Sequence, residues 1–215
     1  MKKFSIFLPI IMLSLFLYMC SATNSSKQSV QTKTPAELAE FSKAYFASGC
    51  FWCVEAVFES VKGVEEAISG YAGGKELNPT YQQVGAGKTG HTEAVEVYYD
   101  PSVIDYKTLL EVYYGSHDPT TVNGQHPDYG RQYRSAIFYQ TKEEKKLVES
   151  FIANLNASKE YDKPIATEVV PFEKFWQAED YHQNYEKLNP NQPYVRSVSI
   201  PRLKRFQAKF PDLLK

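Results

Sequence analysis

The stretch AYFASGCFWCVEAVFESVKG, residues 44–63, decides the local architecture of this chain. It opens with a short, mostly apolar run that ends at Gly49, which is typical of a buried strand followed by a tight turn. Beyond Cys50, apolar residues recur three, four and seven positions after Val54, and this spacing predicts an amphipathic helix. Gly63 is a natural end for that helix. The stretch therefore predicts a strand, a glycine turn, a cysteine and a helix, in that order.

Further along the chain, two predicted strands follow each other without a helix between them, which favours an antiparallel or mixed sheet. Helices are predicted after Asp105 and after Thr141, two residues of the type that caps helices. The predicted strands cover residues 44–48, 67–71, 94–99, 135–139 and 165–170. We predict an α+β fold, a two-layer mixed or antiparallel sheet with helices and a ferredoxin-like core. The segment after residue 170 is punctuated by prolines and is predicted to be irregular.

The composition predicts one well-buried core. The chain has 215 residues, of which 43% are hydrophobic, and this is too short for two large domains. Its 24 basic and 25 acidic residues nearly balance, whereas a nucleic-acid surface needs a basic excess on one face. We therefore expect no nucleic-acid partner. The 16 Tyr and 13 Phe must mostly lie in the core, and some could line a pocket for an apolar group.

The first twenty residues form a separate unit. Residues 4–19 are almost wholly apolar, follow two lysines and precede Cys20, a pattern typical of an export signal. A signal that ends in Cys resembles a bacterial lipoprotein signal, in which that Cys carries the lipid and anchors the protein to a membrane. Cleavage after Ala22 and an uncleaved anchor are the alternatives. In each case we expect an exported protein of the cell envelope, in the periplasm or at the cell surface.

We divide the chain into four parts. Residues 1–20 are the signal, and residues 21–42 are a flexible tether because they begin with a run of small polar side chains. Residues 43–196 form the globular domain, and residues 197–215 form a basic C-terminal tail. The basic stretch 202–205 is interpreted as a solvated surface, with contact to anionic lipid head groups as the alternative.

Apart from Cys20, the cysteines are Cys50 and Cys53, a single C-x-x-C at the strand-to-helix junction. A structural disulfide would close a very small loop there and would stabilise the fold little. A zinc site needs about four ligands, and the four histidines show no metal spacing, so no metal is expected. The third interpretation is a redox or nucleophilic pair.

The helix N-terminus favours this third interpretation. Its free N–H groups and dipole attract an anion, so we expect the pKa of Cys50 to be lowered and its thiolate fraction raised. Cys53 lies three residues on, within reach as a resolving thiol. A thioredoxin-like disulfide oxidoreductase fits these observations equally well. The residues alone therefore indicate a thiol redox enzyme and no more specific activity.

The segment GCFWCVE at residues 49–55 resembles the active-site signature of A-type peptide methionine sulfoxide reductases. Six later blocks resemble that family in order: GYAGG at 70–74, PTY at 79–81, GHTEAV at 90–95, HDPT at 117–120, DYGRQYRS at 128–135 and FWQAEDYHQ at 175–183. The resemblance covers residues 45–195. Several blocks in order are far more specific than one.

The resemblance implies a role for each matching residue. The nucleophile is Cys50, the acid is Glu93, the oxygen-binding tyrosines are Tyr81 and Tyr133, the substrate pocket is Phe51 and Trp52, and Asp128 lines or supports the site. Many members have Gly where this chain has Cys53, and resolve with cysteines in a C-terminal tail. Residues 196–215 contain no Cys here, so the pairing implied is Cys50 with Cys53. His91 and His182 are expected to be structural hydrogen-bonding residues.

The activity implied is reduction of the S epimer of methionine sulfoxide, free or in proteins, and so the repair of oxidised proteins. No bound cofactor is implied, and the reductant is an external dithiol, thioredoxin or an envelope equivalent. Two alternatives stay open. A general thiol–disulfide exchanger of the cell envelope would not need Glu93, and a non-enzymatic lipoprotein would use the cysteine pair only as a staple that resists mild reductants.

Overall fold

The computed structural model describes Met1 and residues 33–215 of the chain. The predicted export signal, Cys20 and the predicted tether as far as residue 32 lie outside the described residues. Among the residues described, none of the helices combines the length and the apolar character that crossing a membrane requires.

Strands and helices alternate along most of the described chain. The strands are β1 (Ser42–Ser48), β2 (Val64–Ala72), β3 (Thr92–Tyr99), β4 (Gly124–Gln125), β5 (Asp128–Tyr129), β6 (Ser135–Tyr139), β7 (Glu168–Pro171) and β8 (Phe175–Gln177). The α-helices are α1 (Phe51–Glu59), α2 (Tyr81–Gly85), α3 (Tyr106–Gly115), α4 (Lys142–Ser158), α5 (Tyr185–Leu188) and α6 (Ile200–Lys209). Single turns of 3-10 helix cover Arg131–Tyr133, Asp180–His182 and Pro211–Leu213, and a π-helical turn over Val195–Ser199 runs directly into α6.

Six strands form the main sheet in the order β7-β6-β1-β3-β2-β8. Every neighbouring pair is antiparallel except β6 and β7, which are parallel, so the sheet is mixed. The inner four strands, β6-β1-β3-β2, have the order of a ferredoxin-like core, with α1 between β1 and β2 and α3 between β3 and β6. The predicted α+β fold with a mixed sheet is confirmed.

The sheet buries side chains on both faces. Along β1, Ala44 and Phe46 join the main core beneath the helices, whereas Tyr45 and Ala47 join a smaller core on the opposite face. This alternation follows from the two-residue period of a strand. The smaller core is closed by the segment after β7, where the ring of Phe172 stacks on Tyr45 with centroids 3.8 Å apart. Side chains therefore pack on both faces of the central strands. This packing fixes the position of the end of the sheet where the functional residues lie.

The C-terminal part is not irregular, and that prediction is wrong. β8 pairs with β2, and α6 packs on α1, with the side chain of Phe206 only 1% exposed. Pro201 comes two residues after the π-helical turn Val195–Ser199, inside a stretch that is helical over residues 193–209. Here the proline does not interrupt the helix, and residues 197–215 belong to the packed domain.

The predicted tether also ends earlier than expected. The side chain of Leu38 is buried against Ile68 and Tyr98, and β1 begins at Ser42. The polar run of the sequence ends near Thr34, and the apolar residues beyond it find a place on the sheet. Residues 35–42 are thus part of the domain.

Candidate active site

A glycine turn delivers Cys50 to the start of α1, as predicted. Gly49 has a φ of +85°, in the left-handed region that favours glycine. A Cβ at this position would lie 2.7 Å from the Cβ of Gln125, so the close approach of the neighbouring loop also requires glycine. Cys50 occupies the N-cap position of α1 without a side-chain capping hydrogen bond, and the helix then carries Phe51, Trp52 and Cys53 in its first turn.

Glu93 lies on β3 beside this turn, and its side chain is 2% exposed. One carboxyl oxygen, Oε2, accepts a hydrogen bond of 3.0 Å from the backbone N–H of Phe51, the residue after Cys50. Burial raises the pKa of Glu93 to about 8, against the opposing effect of that hydrogen bond. Glu93 is therefore mostly protonated at neutral pH and can donate a proton beside the cysteine.

An aromatic wall stands next to Cys50. The ring of Phe51 is buried, with the ring of His182 4.9 Å away between centroids. Trp52 is half-buried and stacks on Tyr185 with centroids 3.8 Å apart, while its indole N–H donates to Nδ1 of His182 over 3.1 Å. Burial lowers the pKa of His182 to about 4, so this ring is neutral and accepts the bond. The wall is thus both apolar and rigidly held.

Tyr81 and Tyr133 are half-buried at the same place. The Tyr81 ring lies over Phe51 with centroids 6.3 Å apart, and Tyr133 ends a 3-10 turn. Burial raises the pKa of Tyr81 to about 12, and the charges of Glu93 and Cys50 add to the shift. The pKa of Tyr133 is raised by burial and by the same two groups. Both hydroxyls remain protonated and can donate hydrogen bonds.

Tyr81 is carried by a short helix that was not predicted. α2 lies between the predicted strands 67–71 and 94–99, and Thr80 caps it by accepting a hydrogen bond from the N–H of Gln83. The side chain of Gln83 accepts in return from the N–H of Thr80. This reciprocal capping box has the sequence signal Thr-x-x-Gln, which could have revealed the helix.

Asp128 is held by a tyrosine from the C-terminal part of the chain. It lies half-buried on β5, and its Oδ2 accepts a hydrogen bond from the hydroxyl of Tyr194. Burial raises the pKa of Asp128. The Tyr194 ring also meets Trp52 edge-on, with centroids 6.1 Å apart. Tyr194 therefore links Asp128 to the aromatic wall.

Cys53 points to a different wall from Cys50. Both thiols are free, and Cys53 Sγ lies 3.0 Å from the hydroxyl oxygen of Ser199, a fully buried residue at the start of α6. Hydrogen bonding from Cys50 lowers the pKa of Cys53 to about 6 against the effect of burial, and the charge of Arg202 and the Ser199 hydroxyl lower it further. Cys53 is the more acidic thiol of the pair.

The expected low pKa of Cys50 is not observed, and that prediction is wrong. Cys50 does cap α1, but its side chain is only 8% exposed. Burial raises its pKa well above the ordinary value, and the interaction with Cys53 raises it further. The effect of desolvation is larger than the attraction of the helix N-terminus for an anion. The opposite directions of the two shifts favour the thiolate on Cys53 over one on Cys50.

The interpretation of Arg202 as part of a solvated surface is also wrong. The side chain is 8% exposed and donates hydrogen bonds to the carbonyl of Ser116, the carbonyl of Ser48 and the hydroxyl of Ser48. Two basic residues of the same stretch, Lys204 and Arg205, are exposed as expected. Composition alone could not single out the one arginine that faces inward.

The structure brings all eight predicted domain residues to one end of the sheet and adds others. The additional residues are His182, Tyr185, Tyr194, Ser199 and Arg202. Of these, His182 was expected to be a hydrogen-bonding residue, and its bond with Trp52 agrees with that role. His91 likewise bonds the N–H of Gly74. Within residues 33–215, no group of three or more His, Cys, Asp or Glu side chains is placed to hold a metal ion.

Comparisons with known proteins identify relatives of this chain. Peptide methionine sulfoxide reductase MsrA 2 of Synechocystis is 47% identical over 174 residues, which cover 80% of this chain and 81% of the relative. MsrA of Sulfolobus acidocaldarius is 48% identical over 79% of this chain and 95% of its own length. The alignments thus cover most of each relative as well as most of this chain.

Solved structures are also similar to this chain. Reduced Mxr1 from Saccharomyces cerevisiae superposes with a TM-score of 0.65 at 32% identity, covering 71% of this chain and 88% of that one. Methionine sulfoxide reductase A of Corynebacterium diphtheriae superposes with a TM-score of 0.61 at 36% identity, covering 69% and 74%. The model of the peptide methionine sulfoxide reductase family matches residues 42–213. The chain therefore belongs to the peptide methionine sulfoxide reductases, a family of oxidoreductases.

Proposed function

We propose that this chain reduces the S epimer of methionine sulfoxide, free or in proteins, with Cys50 as nucleophile and Glu93 as acid, and so repairs oxidised proteins. One observation carries the proposal. Glu93 is a buried carboxyl with a pKa raised to about 8, and it is hydrogen-bonded to the backbone N–H next to Cys50. A sulfoxide needs a nucleophile and a proton donor together, and this pair supplies both.

The first step is attack of the Cys50 sulfur on the sulfoxide sulfur. Glu93 gives its proton to the sulfoxide oxygen, and the hydroxyls of Tyr81 and Tyr133 donate hydrogen bonds where negative charge collects. The attack forms a transient bond between the two sulfurs. The protonated oxygen then passes from the substrate sulfur to the Cys50 sulfur, the S–O bond of the substrate and the transient sulfur–sulfur bond break, methionine leaves, and Cys50 becomes a sulfenic acid. The methionine sulfur gains two electrons and the Cys50 sulfur loses two. Because the pKa of Cys50 is raised, its proton must leave during this step, and the Cys53 thiolate is placed to take it.

The substrate methyl group would lie on the aromatic wall. Phe51 and Trp52 offer an apolar surface, and His182 and Tyr185 hold the indole in one orientation. Asp128, held by Tyr194, borders the same space and supports the orientation of the substrate. A chiral sulfur set between a methyl pocket on one side and oxygen-binding donors on another is accepted in one configuration. This supports the choice of a single epimer.

Cys53 completes the cycle as the resolving thiol. It lies within the same helical turn as Cys50, and both are free thiols. Its sulfur condenses with the sulfenic acid to form a Cys50–Cys53 disulfide, which an external dithiol must reduce. We propose thioredoxin or an equivalent protein of the cell envelope as that dithiol, and no bound cofactor.

We also propose that the protein is exported and acts in the cell envelope, in the periplasm or at the cell surface. The apolar run before Cys20 supports this location, with lipid attachment at Cys20 preferred over cleavage after Ala22 or an uncleaved anchor. The mass of the mature protein separates the three. A diacyl modification on an N-terminal Cys20 is expected, whereas an unmodified Thr23 N-terminus would mean simple cleavage.

The activity is tested with separated S and R epimers of a methionine sulfoxide peptide and dithiothreitol as reductant. The full chain should consume only the S epimer, and Cys50→Ser should lose activity by on the order of 10⁴-fold or more. Cys20→Ser is the matched control and should keep the wild-type rate. Folded, reduced protein that turns over neither epimer would overturn the proposal and leave a general thiol–disulfide exchanger.

A further inference from the structure

The Cys53 sulfur lies against a polar wall built by the start of α6. Ser199, which comes just before α6, is fully buried and places its hydroxyl 3.0 Å from Cys53 Sγ. Arg202 follows three residues later and is nine-tenths buried. Residues three apart on a helix lie on the same face. The hydroxyl and the guanidinium therefore approach the cysteine from one side.

Arg202 is a buried cation whose hydrogen-bond partners are all neutral. Its guanidinium donates to two backbone carbonyls and one hydroxyl, supplied by Ser48 and Ser116. In the part of the chain that the structure describes, no carboxylate lies within 4.0 Å of it as an ion-pair partner. A buried charge without a counter-ion is unfavourable, so negative charge nearby stabilises it. Arg202 borders the same cavity as Cys53 and Asp128, and its charge lowers the pKa of Cys53, whereas burial raises the pKa of Asp128 and of Glu186, the two acids on which Arg202 also acts. The Cys53 sulfur is therefore the group favoured as its counter-ion.

Two acids also face Cys53, and both have their charge suppressed. Glu93 and Glu186 interact electrostatically with the Cys53 sulfur, and burial raises their pKa values to about 8 and about 7. The remaining groups that act on the sulfur are Cys50 and Tyr194, both of which stabilise its charged form. At neutral pH the balance around the Cys53 sulfur favours an anion.

Resting on the function proposed above, we propose that Ser199 and Arg202 are positioning residues that hold the Cys53 sulfur as a thiolate. Cys53 is then both the attacking sulfur when the disulfide forms and the leaving sulfur when an external dithiol opens it. Neither residue touches the substrate. Both act through Cys53.

The resolving step balances with the anion in place. The Cys53 thiolate attacks the Cys50 sulfenic acid, an S–S bond forms, the S–O bond of the sulfenic acid breaks, and hydroxide leaves and takes a proton to become water. The Cys50 sulfur is reduced to the disulfide level as the Cys53 sulfur is oxidised to it. If Cys53 took the Cys50 proton in the first step, Ser199 and Arg202 favour its release again before the attack.

In the recycling step, Cys53 is likewise the sulfur that is favoured as a thiolate, now as the leaving group. A thiolate of the external dithiol attacks Cys50, the Cys53 thiolate leaves, and the second thiol of the reductant then frees Cys50. Disulfide exchange is faster when the leaving thiol has the lower pKa. As a residue, Cys50 is also slightly more exposed, at 8% against 2% for Cys53. Both sulfurs border a cavity of about 460 Å³, which gives the reductant a path to them.

The first test measures the Cys53 thiolate without turnover. In the full chain carrying Cys20→Ser and Cys50→Ser, Cys53 is the remaining thiol, and its alkylation rate by iodoacetamide is followed against pH. Adding Ser199→Ala should move the titration midpoint upward and slow alkylation at pH 6 on the order of tenfold. Arg202→Lys, which keeps the charge but not the planar fork, should move it in the same direction.

Matched controls come from the exposed side of the same segment. Ser197→Ala and Arg205→Lys alter exposed residues of the same types and should leave the midpoint unchanged. Equal midpoints in the parent protein and both test variants would overturn the proposal. Circular dichroism establishes that each variant is folded, and if Ser199→Ala does not fold, Arg202→Lys alone decides the result.

The second test follows the chemistry in the Cys20→Ser chain with the S epimer. Ser199→Ala should slow disulfide formation about tenfold more than it slows formation of the first methionine. Equal slowing of both steps would mean a purely structural role and would overturn the proposal. Absence of methionine in the parent chain would instead refute the proposed function, while the alkylation titration would still decide the state of Cys53.

Discussion

Cys50 and Cys53 lie in one turn of α1, and the two sides of that turn differ in origin and in effect. The Cys50 side presents a buried acid on β3 and the aromatic rings of α1, which pack against Tyr81, His182 and Tyr185. The Cys53 side is built by the C-terminal segment, and presents a hydroxyl and a cation. The pKa of Cys50 is raised and that of Cys53 is lowered to about 6.

The two cysteines are three residues apart, yet their pKa values shift in opposite directions. Proximity in sequence therefore does not determine which thiol is the more acidic. Both thiols share the same helix N-terminus, so the dipole cannot explain opposite shifts. Burial beside neutral rings and the Glu93 carboxyl disfavours a thiolate at Cys50, whereas Arg202 and Ser199 favour one at Cys53. The side that would receive the sulfoxide is thus kept neutral, and the side that would resolve is kept anionic.

Removing the thiol on one side should separate the two halves of the cycle most strongly. Cys53→Ser should still form one methionine per chain, because Cys50 and Glu93 remain, but its steady-state rate with a protein dithiol should fall by about 10²-fold or more. Quenched-flow detection of methionine measures the first turnover, and a coupled assay measures the steady state. Cys20→Ser serves as control, and a wild-type steady-state rate in Cys53→Ser would contradict the role of Cys53.

Glu93→Gln tests the acid on the Cys50 side. The rate of the first methionine should fall about 10²–10⁴-fold, because the amide cannot protonate the sulfoxide oxygen. In the wild type this rate should decline as pH rises through about 8, since Glu93, whose pKa is raised, is protonated below that value and ionised above it. Glu149→Gln, at an exposed position of α4, should change neither the rate nor the profile. An unchanged decline in Glu93→Gln would show that another group titrates.

Tyr81→Phe and Tyr133→Phe test the donors to the sulfoxide oxygen. Each variant should lower kcat about 10–10²-fold with a smaller change in KM, because charge collects on the oxygen mainly in the transition state. Tyr129→Phe is a matched control, since that side chain is 71% exposed. Steady-state kinetics at pH 7 give both constants. An increase in KM without a decrease in kcat would mean that the hydroxyls bind substrate without stabilising the transition state.

Tyr194→Phe should have the smallest effect of these changes. It keeps the ring against Trp52 and removes the hydroxyl that donates to Asp128, so kcat/KM should fall about fivefold. Tyr181→Phe, at an exposed tyrosine of the same part of the chain, is the control. A decrease in kcat/KM as large as the decrease in rate expected for Glu93→Gln would mean that the Tyr194 hydroxyl takes part directly in the chemistry.

Sequence reasoning succeeded where the signal is local. The apolar spacing after Cys50 predicted α1, and the alternation over residues 94–99 predicted β3. Asp105 was recognised as the cap of α3, where its side chain accepts from the N–H of Thr108. Each of these signals lies within a few residues, where backbone geometry alone decides the outcome.

Sequence reasoning failed where a residue is defined by what packs on it. Arg202 and Lys204 look alike in a basic stretch, but only the arginine reaches Ser48, 154 positions away in sequence. Nothing in the sequence distinguishes Ser199 from the other serines, and its place beside Cys53 depends on the packing of α6 against α1. Pro201 was taken as a sign of irregular chain, although it lies within a helical stretch that the core stabilises through Phe206.

By itself the sequence determined the strand, glycine turn and helix around Cys50, the alternating strands of the sheet, and the ordered blocks that place the chain in its family. Only the tertiary structure decided which thiol carries the charge, which arginine is buried, and that the last twenty residues form part of the site. The physical reason is that periodicity and turn geometry act over a few residues, whereas desolvation and electrostatics depend on every segment that the fold brings to the same place.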